Sequence, residues 1–185
     1  MSLTPSTMLP LGTPMPEIDL PDVTSGRRWR SAELPAQQVL VVMFICNHCP
    51  YVVHVQPELV RLGKDYRDHA VQLVAICSND AERYPDDDPE AMREQARRLG
   101  YAFPYLHDAS QDAARAFRAA CTPDFYVFDR DGRCAYRGQL DGSRPGNELP
   151  LDGADLRRAI EACCDGRAPD PEQVPSVGCN IKWRA

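Results

Sequence analysis

The amino-acid sequence predicts an α/β protein, a three-layer α/β/α sandwich around a mixed sheet with an N-terminal extension. Residues 39–45 form a continuously apolar, β-branched run, which is typical of a strand covered on both faces, and residues 71–77 are predicted to form a second buried strand. Helical patterns separate these segments, and the chain then forms a β-hairpin before its last helix. The order β, helix, β, helix, helix, hairpin, helix indicates a sheet with helices on both faces.

The N-terminal part of the chain precedes the predicted sheet. Residues 1–16 are rich in proline and show no periodicity, so we expect a lead-in segment. Residues 17–20 alternate as a half-buried strand does, and residues 27–30 are expected to pair with them across a turn at Ser25. Ser31 is expected to cap a short helical turn.

The remaining elements follow from caps, breakers and periodicity. Residues 50–68 are predicted to form a helix that Pro57 kinks, and residues 89–99 a helix that Asp88 caps and Gly100 ends. The other predicted elements are a short segment at 105–106, a helix over 110–120 capped by Ser110, hairpin strands at 125–128 and 134–136, a helix over 152–164, and a tail over 166–185 packed on the domain.

Composition and charge restrict the class of protein. The 185 residues, 43% hydrophobic and 26% charged, fit one domain spanning residues 1–185. The net charge of −6 argues against a nucleic-acid partner, which requires a basic face. No apolar run reaches the ~18 residues of a membrane helix and no signal peptide is visible, so we expect no membrane association and a cytoplasmic location. A periplasmic location is the alternative if a leader has been removed.

The chemistry is expected at Cys46 and Cys49, which stand between the most buried predicted strand and the long helix. Amide groups at a helix N-terminus lack intrahelical partners and carry partial positive charge, so they would lower the pKa of Cys46. Two intervening residues let one turn bring the sulfurs together, so that Cys49 can resolve a mixed disulfide formed at Cys46. A protonated His48 would favour the thiolate further. The pattern therefore favours a redox-active dithiol.

A Cys-X-X-Cys pair is also half of a zinc site, which usually needs four ligands. The sequence contains no second such pair, but folding could bring His48, His54, Cys121 or Cys179 beside the first one. We predict no bound metal, and a metal-binding or metallochaperone module is the alternative function from another class.

The arrangement of strand, Cys-X-X-Cys and helix resembles the thioredoxin superfamily. Thr122 and Pro123 directly precede a predicted strand and look like the segment that carries the superfamily's cis-proline. The resemblance implies that Pro123 is cis, next to the active-site disulfide, and that the backbone of Thr122 binds the partner's chain in β-like fashion. Asn47, His48 and Pro50, around the two cysteines, are expected to shape or tune the site.

A wider pattern is similar to a bacterial thioredoxin-like subgroup of the AhpC/TSA (redoxin) family. It comprises the entry segment at 11–23, residues 46–51, 78–80 and 122–125, and the C-terminal Gly-Cys-Asn-Ile-Lys-Trp at 178–183. The peroxiredoxins of this family carry Thr or Ser three residues before the peroxidatic cysteine. Met43 stands at this position before Cys46, and Cys46 itself before Cys49, so neither has the hydroxyl that orients a peroxide. The sequence therefore favours disulfide exchange over direct peroxidase chemistry.

The other six cysteines are given different roles. Cys121 and Cys179 are candidate accessory thiols, and we hypothesise a disulfide or close contact between them. The other four are expected to be core or incidental residues: Cys77, Cys134, Cys163 and Cys164.

Several polar residues close to the motifs are further candidates for a role in the site. Glu58 and Asp124 are candidates for the buried carboxylate that assists proton transfer in many thioredoxins. His54 lies off the helix face that Cys49 occupies, so we expect it to be packed or on the surface. The acidic residues 86–88 are expected to serve capping and solvation alone.

We therefore expect a thiol-disulfide oxidoreductase in which Cys46 attacks and Cys49 resolves. Its expected partners are protein or small-molecule thiols and disulfides, and no organic cofactor is required. An antioxidant thiol peroxidase of the AhpC/TSA family is the alternative enzyme.

Overall fold

The computed structural model describes residues 3–67 and 69–184, which form ten strands and four α-helices. The strands are β1 (Leu3–Pro5), β2 (Asp19–Pro21), β3 (Arg28–Arg30), β4 (Val39–Phe44), β5 (Val71–Cys77), β6 (Tyr105–His107), β7 (Cys121–Thr122), β8 (Asp124–Phe128), β9 (Cys134–Gly138) and β10 (Val177–Asn180). The helices are α1 (Pro50–Asp65), α2 (Pro89–Leu99), α3 (Asp112–Phe117) and α4 (Ala154–Cys164).

The central sheet has the strand order β6-β5-β4-β8-β9 and is mixed, as the sequence predicts. β4 pairs in parallel with β5, and β5 with β6, whereas β8 is antiparallel to both β4 and β9. All six residues of β4 are buried. Burial on both faces explains why this strand is continuously apolar rather than alternating.

Helices cover both faces of the central sheet. Because side chains alternate along a strand, Val41 and Val42 of β4 belong to two different apolar clusters. The cluster around Val41 includes residues of α1, α2 and α4, and the cluster around Val42 includes residues of α3. The predicted α/β class, with a mixed sheet between helices, is therefore confirmed.

Three helices differ from their predicted bounds, and one of them, α4, begins at Ala154 rather than at residue 152. α1 contains Pro57 and ends at Asp65, whereas the predicted end at residue 68 lies outside the described residues. α3 is shorter than the predicted 110–120, because Gln111 and Arg118 on either side of it have φ of 65° and 53°. This left-handed backbone interrupts a helix at both ends.

Of the smaller predicted features, the cap of α2 and the N-terminal strand pair are confirmed, whereas the cap at Ser31 is wrong. Asp88 caps α2 by accepting a hydrogen bond of 2.8 Å from the Ala91 amide, and Gly100 ends the helix with a φ of 73°. β2 and β3 form the predicted N-terminal pair. Ser31 begins the 3-10 helix that follows instead of capping it, and its hydroxyl accepts a hydrogen bond from the Ile18 amide.

A second sheet joins the N-terminal and C-terminal segments, which the sequence predicts to be a lead-in and a tail. β10 lies between β1 and β7 and is antiparallel to both. The strand in the lead-in was not predicted, because three residues are too few to show a period. β10 brings the C-terminal segment to the segment that precedes β8. Among the helices of residues 3–67 and 69–184, none has the length and apolar composition needed to cross a membrane.

Candidate active site

Cys46 and Cys49 lie in the loop between β4 and α1. Because α1 begins at Pro50, Cys49 is its N-cap residue. Proline is favourable at the first helical position, where an amide hydrogen would have no helical partner. Cys46 is 1% exposed and Cys49 is 0% exposed. Solvent therefore hardly reaches either side chain.

The segment around Pro123 faces these two cysteines. The peptide bond between Thr122 and Pro123 is cis, as the resemblance implies. The Thr122 hydroxyl lies 3.4 Å from Cys46 Sγ, and Cys49 Sγ lies 3.2 Å from the Thr122 carbonyl oxygen. Thr122 therefore contacts one sulfur through its side chain and the other through its backbone.

A third cysteine joins the pair from the C-terminal segment. Cys49 Sγ and Cys179 Sγ lie 2.8 Å apart, although 130 positions separate them in the chain. In the pairing of β10 with β7, Cys179 stands opposite Thr122. Gly178 allows this approach, because a Cβ at that position would lie 2.0 Å from the Thr122 carbonyl oxygen. The site therefore contains three neighbouring thiols.

β10 occupies the backbone edge of Thr122, where the family resemblance implies that a partner's chain binds. The strand can lie there because Gly178 carries no side chain to collide with Thr122 and Pro123. The binding of a partner by Thr122 and Pro123 therefore stays a prediction, and it requires β10 to move aside.

The negative charge of the three sulfurs is most stable on Cys49. A hydrogen bond from Cys46, chiefly, and a second from Cys179 lower the pKa of Cys49 to about 5, although burial opposes this change. The same hydrogen bond to Cys49, together with burial, raises the pKa of Cys46 well above its usual range. The prediction of a lowered pKa at Cys46 is therefore wrong. No local pattern could show this, because the hydrogen bonds that lower the pKa of Cys49 come from the Cys46 and Cys179 side chains as the fold places them.

Asp87 is a site residue that the sequence does not predict. Its side chain is fully buried, and its carboxylate lies 2.7 Å from Nδ1 of His48. It also accepts hydrogen bonds of 2.7 Å from the Asn47 amide and from the Asn79 side chain. The hydrogen bond to Asp87 raises the pKa of His48, and the negative charge of Asp87 raises the pKa of Cys46 further. The positive charge that His48 offers is therefore opposed by a buried carboxylate.

The acidic run at 86–88 thus divides into different roles. Only Asp88 is the helix cap, so the expectation of capping and solvation alone is wrong for its buried neighbour. Two hydrogen bonds hold the Asn47 side chain. Its nitrogen donates to the Asp86 carbonyl oxygen at 2.8 Å, and its oxygen accepts from the Tyr105 hydroxyl at 3.2 Å. No local pattern in the sequence distinguishes these three carboxylates.

One set of side chains has the geometry of a metal site. Ligand atoms of Cys46, His48 and Asp87 all lie within 4.8 Å of one another. Sulfur, imidazole nitrogen and carboxylate oxygen are all donors that zinc accepts. His54 lies instead 2.8 Å from the Ser143 hydroxyl, so its ring nitrogen Nε2 is engaged elsewhere.

The accessory thiols are arranged differently from the hypothesis. All eight cysteines belong to the described residues, and no disulfide joins any two of them. Cys121 is opposite Asn180, one position away from Cys179, so the two side chains point to opposite faces of the sheet. The Cys121 thiol lies 3.8 Å from the Pro123 carbonyl oxygen. The remaining four thiols belong to the apolar packing: Cys77, Cys134, Cys163 and Cys164.

Both candidate carboxylates of the core are fully buried, but they differ in their surroundings. Asp124 accepts hydrogen bonds from the hydroxyls of Ser6 and Tyr126 at 3.1 and 2.9 Å. Burial outweighs these hydrogen bonds and raises the pKa of Asp124 to about 7. Glu58 is paired with Arg157 at 2.6 Å, so it serves an ion pair between α1 and α4. Asp124 is therefore the buried acid that can exchange a proton near neutral pH.

Comparison with known proteins agrees with this arrangement. The AhpC/TSA family matches residues 11–137. A crystal structure of an uncharacterized conserved protein from Geobacillus kaustophilus is 52% identical, with a TM-score of 0.96, and the match covers 100% of this chain and 97% of that one.

Two named relatives are more distant. Protein FixW of Rhizobium leguminosarum is 25% identical over 142 residues, which are 73% of this chain and 63% of FixW. The chain thus spans less than two thirds of FixW. Thiol-disulfide oxidoreductase YkuV of Bacillus subtilis (strain 168) is 23% identical over 119 residues, 62% of this chain and 78% of YkuV. Since the family match covers most of the chain, including both cysteines and the cis-proline, this protein belongs to the AhpC/TSA family and has a thioredoxin-like fold.

Proposed function

We propose that this protein is a thiol-disulfide oxidoreductase that uses Cys46 and Cys49 for disulfide exchange. The observation that carries the proposal is the contact of both sulfurs with Thr122, beside the cis peptide bond of Pro123. The name of the relative YkuV agrees with this activity. The partners are protein or small-molecule thiols and disulfides, and the exchange needs no organic cofactor. The cytoplasmic location stays a prediction.

The thiolate that exchange requires is available at neutral pH. Since the pKa of Cys49 is lowered to about 5, this sulfur is deprotonated there. Cys46 shares its proton with Cys49, so movement of that proton to Cys49 transfers the charge to Cys46. Both side chains are buried, but only the Cys49 sulfur lies against β10 through Cys179, and we therefore retain Cys46 as the sulfur that meets the partner.

The exchange then proceeds in two substitutions at sulfur. The Cys46 thiolate attacks one sulfur of the partner's disulfide and releases the other as a thiolate. Cys49 gives its proton to that thiolate, attacks the Cys46 sulfur, forms the Cys46–Cys49 disulfide and releases the second partner sulfur as a thiolate, which takes a proton from solvent. The protein dithiol is oxidised, and the partner's disulfide is reduced to two thiols.

Reduction of insulin disulfides by dithiothreitol, with and without the protein, tests this proposal. We expect the wild type to accelerate the reaction and both Cys46→Ser and Cys49→Ser to abolish the acceleration. Cys164→Ser is the matched control, because this half-buried cysteine ends α4 and should leave the rate unchanged. A wild type without effect contradicts the proposal, and turnover of hydrogen peroxide in its place would support a thiol peroxidase.

Equilibration with glutathione gives the reduction potential of the pair. Known dithiol proteins range from about −270 mV for thioredoxin to about −120 mV for strong oxidants. Hydrogen bonds to the Cys49 thiolate stabilise the reduced form, so we expect a potential on the oxidising side of thioredoxin.

Metal binding is the second candidate function, and the closely spaced ligand atoms of Cys46, His48 and Asp87 favour it. Metal analysis of protein purified without added metal, followed by zinc titration, tests it. We expect His48→Ala to weaken zinc binding and His54→Ala, outside the ligand set, to leave it unchanged. A wild type that binds no zinc excludes this candidate.

A further inference from the structure

We propose that Cys179 is a third redox-active thiol, which attacks Cys49 in the Cys46–Cys49 disulfide and forms a Cys49–Cys179 disulfide. β10 would then act as a substrate strand built into the chain. The inference rests on the proposed function, because the exchange starts from a disulfide between Cys46 and Cys49.

The position of β10 supports this role. Cys179 lies opposite Thr122, on the backbone edge where a partner's strand would pair. Its sulfur lies 2.8 Å from Cys49 Sγ, and an S–S bond is about 2.05 Å long, so bond formation needs a movement of under about 1 Å. Cys179 therefore stands within a short movement of bonding distance to Cys49.

The backbone around Cys179 keeps it in this position. β1 pairs with β10 on the other side and places Leu3 opposite Cys179. The glycine at 178 lets the strand lie directly on Thr122. After Asn180, the Ile181 amide donates a hydrogen bond of 3.0 Å to the Ala120 carbonyl oxygen. Backbone contacts on both edges of the strand thus hold the thiol against Cys49.

The step is an internal thiol-disulfide exchange and needs no additional oxidant. The Cys179 sulfur attacks the Cys49 sulfur, the bond between Cys46 and Cys49 breaks, and the new bond joins Cys49 to Cys179. The Cys179 proton passes to the Cys46 sulfur that leaves. One disulfide and one thiol are present before and after the step, so the protein stays oxidised while Cys46 becomes a thiol again.

Burial favours exchange among the three sulfurs over reaction with solvent. Cys179 is 4% exposed and Cys49 is 0% exposed, so a soluble thiol has little access to either. Burial also raises the pKa of Cys179 to about 12, so this sulfur remains a thiol while the protein is reduced. The oxidised protein would therefore hold its single disulfide in either of two places.

Peptide mapping can distinguish the two disulfides. The protein is oxidised with oxidised glutathione, acid-quenched, blocked with N-ethylmaleimide and digested with trypsin. Cys46 and Cys49 share the tryptic peptide 31–61, whereas Cys179 lies alone in 168–182. A Cys46–Cys49 disulfide stays within one peptide, and a Cys49–Cys179 disulfide links two. We expect both forms in the wild type and the linked peptides alone in Cys46→Ser.

Two further variants serve as controls. Cys179→Ser should lose the linked peptides but keep the disulfide within 31–61. Cys121→Ser should keep the linked peptides, because the Cys121 thiol lies against the Pro123 carbonyl oxygen and not in the cluster. If Cys46→Ser fails to fold by circular dichroism, Cys46→Ala replaces it.

The outcomes separate this inference from the proposed function. A wild type that forms the Cys46–Cys49 disulfide and yields no linked peptides overturns the inference alone. A wild type that forms neither disulfide and does not reduce insulin overturns the proposed function. Linked peptides in Cys46→Ser support the inference.

Discussion

Replacing Gly178 by alanine is expected to separate β10 from the active-site segment. A Cβ at this position would lie 2.0 Å from the Thr122 carbonyl oxygen and 2.7 Å from its carbonyl carbon. Carbon and oxygen atoms without a covalent bond approach to about 3.3 Å, so one strand must move by about 1.3 Å. The obstacle is backbone, which cannot rotate away as a side chain can.

The expected loss of stability is at the upper end for overpacking, about 3 kcal/mol. Urea unfolding followed by circular dichroism measures this loss. Labelling of Cys179 by N-ethylmaleimide, which is slow in the wild type because the residue is 4% exposed, should become fast. Gly142→Ala is the control, because its Cβ would lie 3.4 Å from the Leu149 side chain, an ordinary contact. Its stability should change by less than about 1 kcal/mol.

The reasoning fails if Gly178→Ala unfolds at the same urea concentration as the wild type and labels as slowly. Such a result would mean that β10 does not lie against Thr122 in solution. A loss of stability with unchanged labelling of Cys179 would mean that the strain is relieved elsewhere and that the thiol stays against Cys49.

Three further predictions concern the charges of the site. In a titration followed by the ultraviolet absorbance of the thiolate, the wild type should titrate near pH 5, whereas Cys49→Ser should form a thiolate only above neutral pH. The same titration curve in both proteins would contradict a thiolate at Cys49. Asp87→Asn should lower the pKa of Cys46 and destabilise the protein more below about pH 6.5 than above it. The reason is that the raised pKa of His48 stabilises the fold at low pH, and this contribution disappears as the pH rises through the folded-state pKa of His48. Urea unfolding below and above this pKa measures the loss of stability, and an equal loss at both pH values would contradict the prediction. Asp124 loses its proton at about pH 7 when folded but near 3.8 when unfolded, so stability relative to Asp124→Asn should fall by about 4 kcal/mol between pH 4 and about pH 8 and stay constant above. A flat difference in unfolding free energy would refute this.

The sequence by itself determined the central sheet and the position of the cysteine pair. β4 could be predicted because burial on both faces leaves a continuously apolar run in the chain, and β5 because its residues are apolar apart from Gln72. The cis peptide bond before Pro123 followed from a family resemblance rather than from a local pattern. These features depend on neighbours in the chain or on a motif, so they are readable before folding.

Only the tertiary structure decided which sulfur carries the charge and what covers it. Cys49 and Cys179 are 130 positions apart, and β10 is too short for its strand pairing to be predicted from the sequence. Asp87 is chemically identical to the aspartates on either side, and only its burial beside His48 makes it part of the site. The physical reason is the same in each case: pKa values and disulfide exchange depend on distances of a few ångströms, and folding alone sets these between segments remote in the chain.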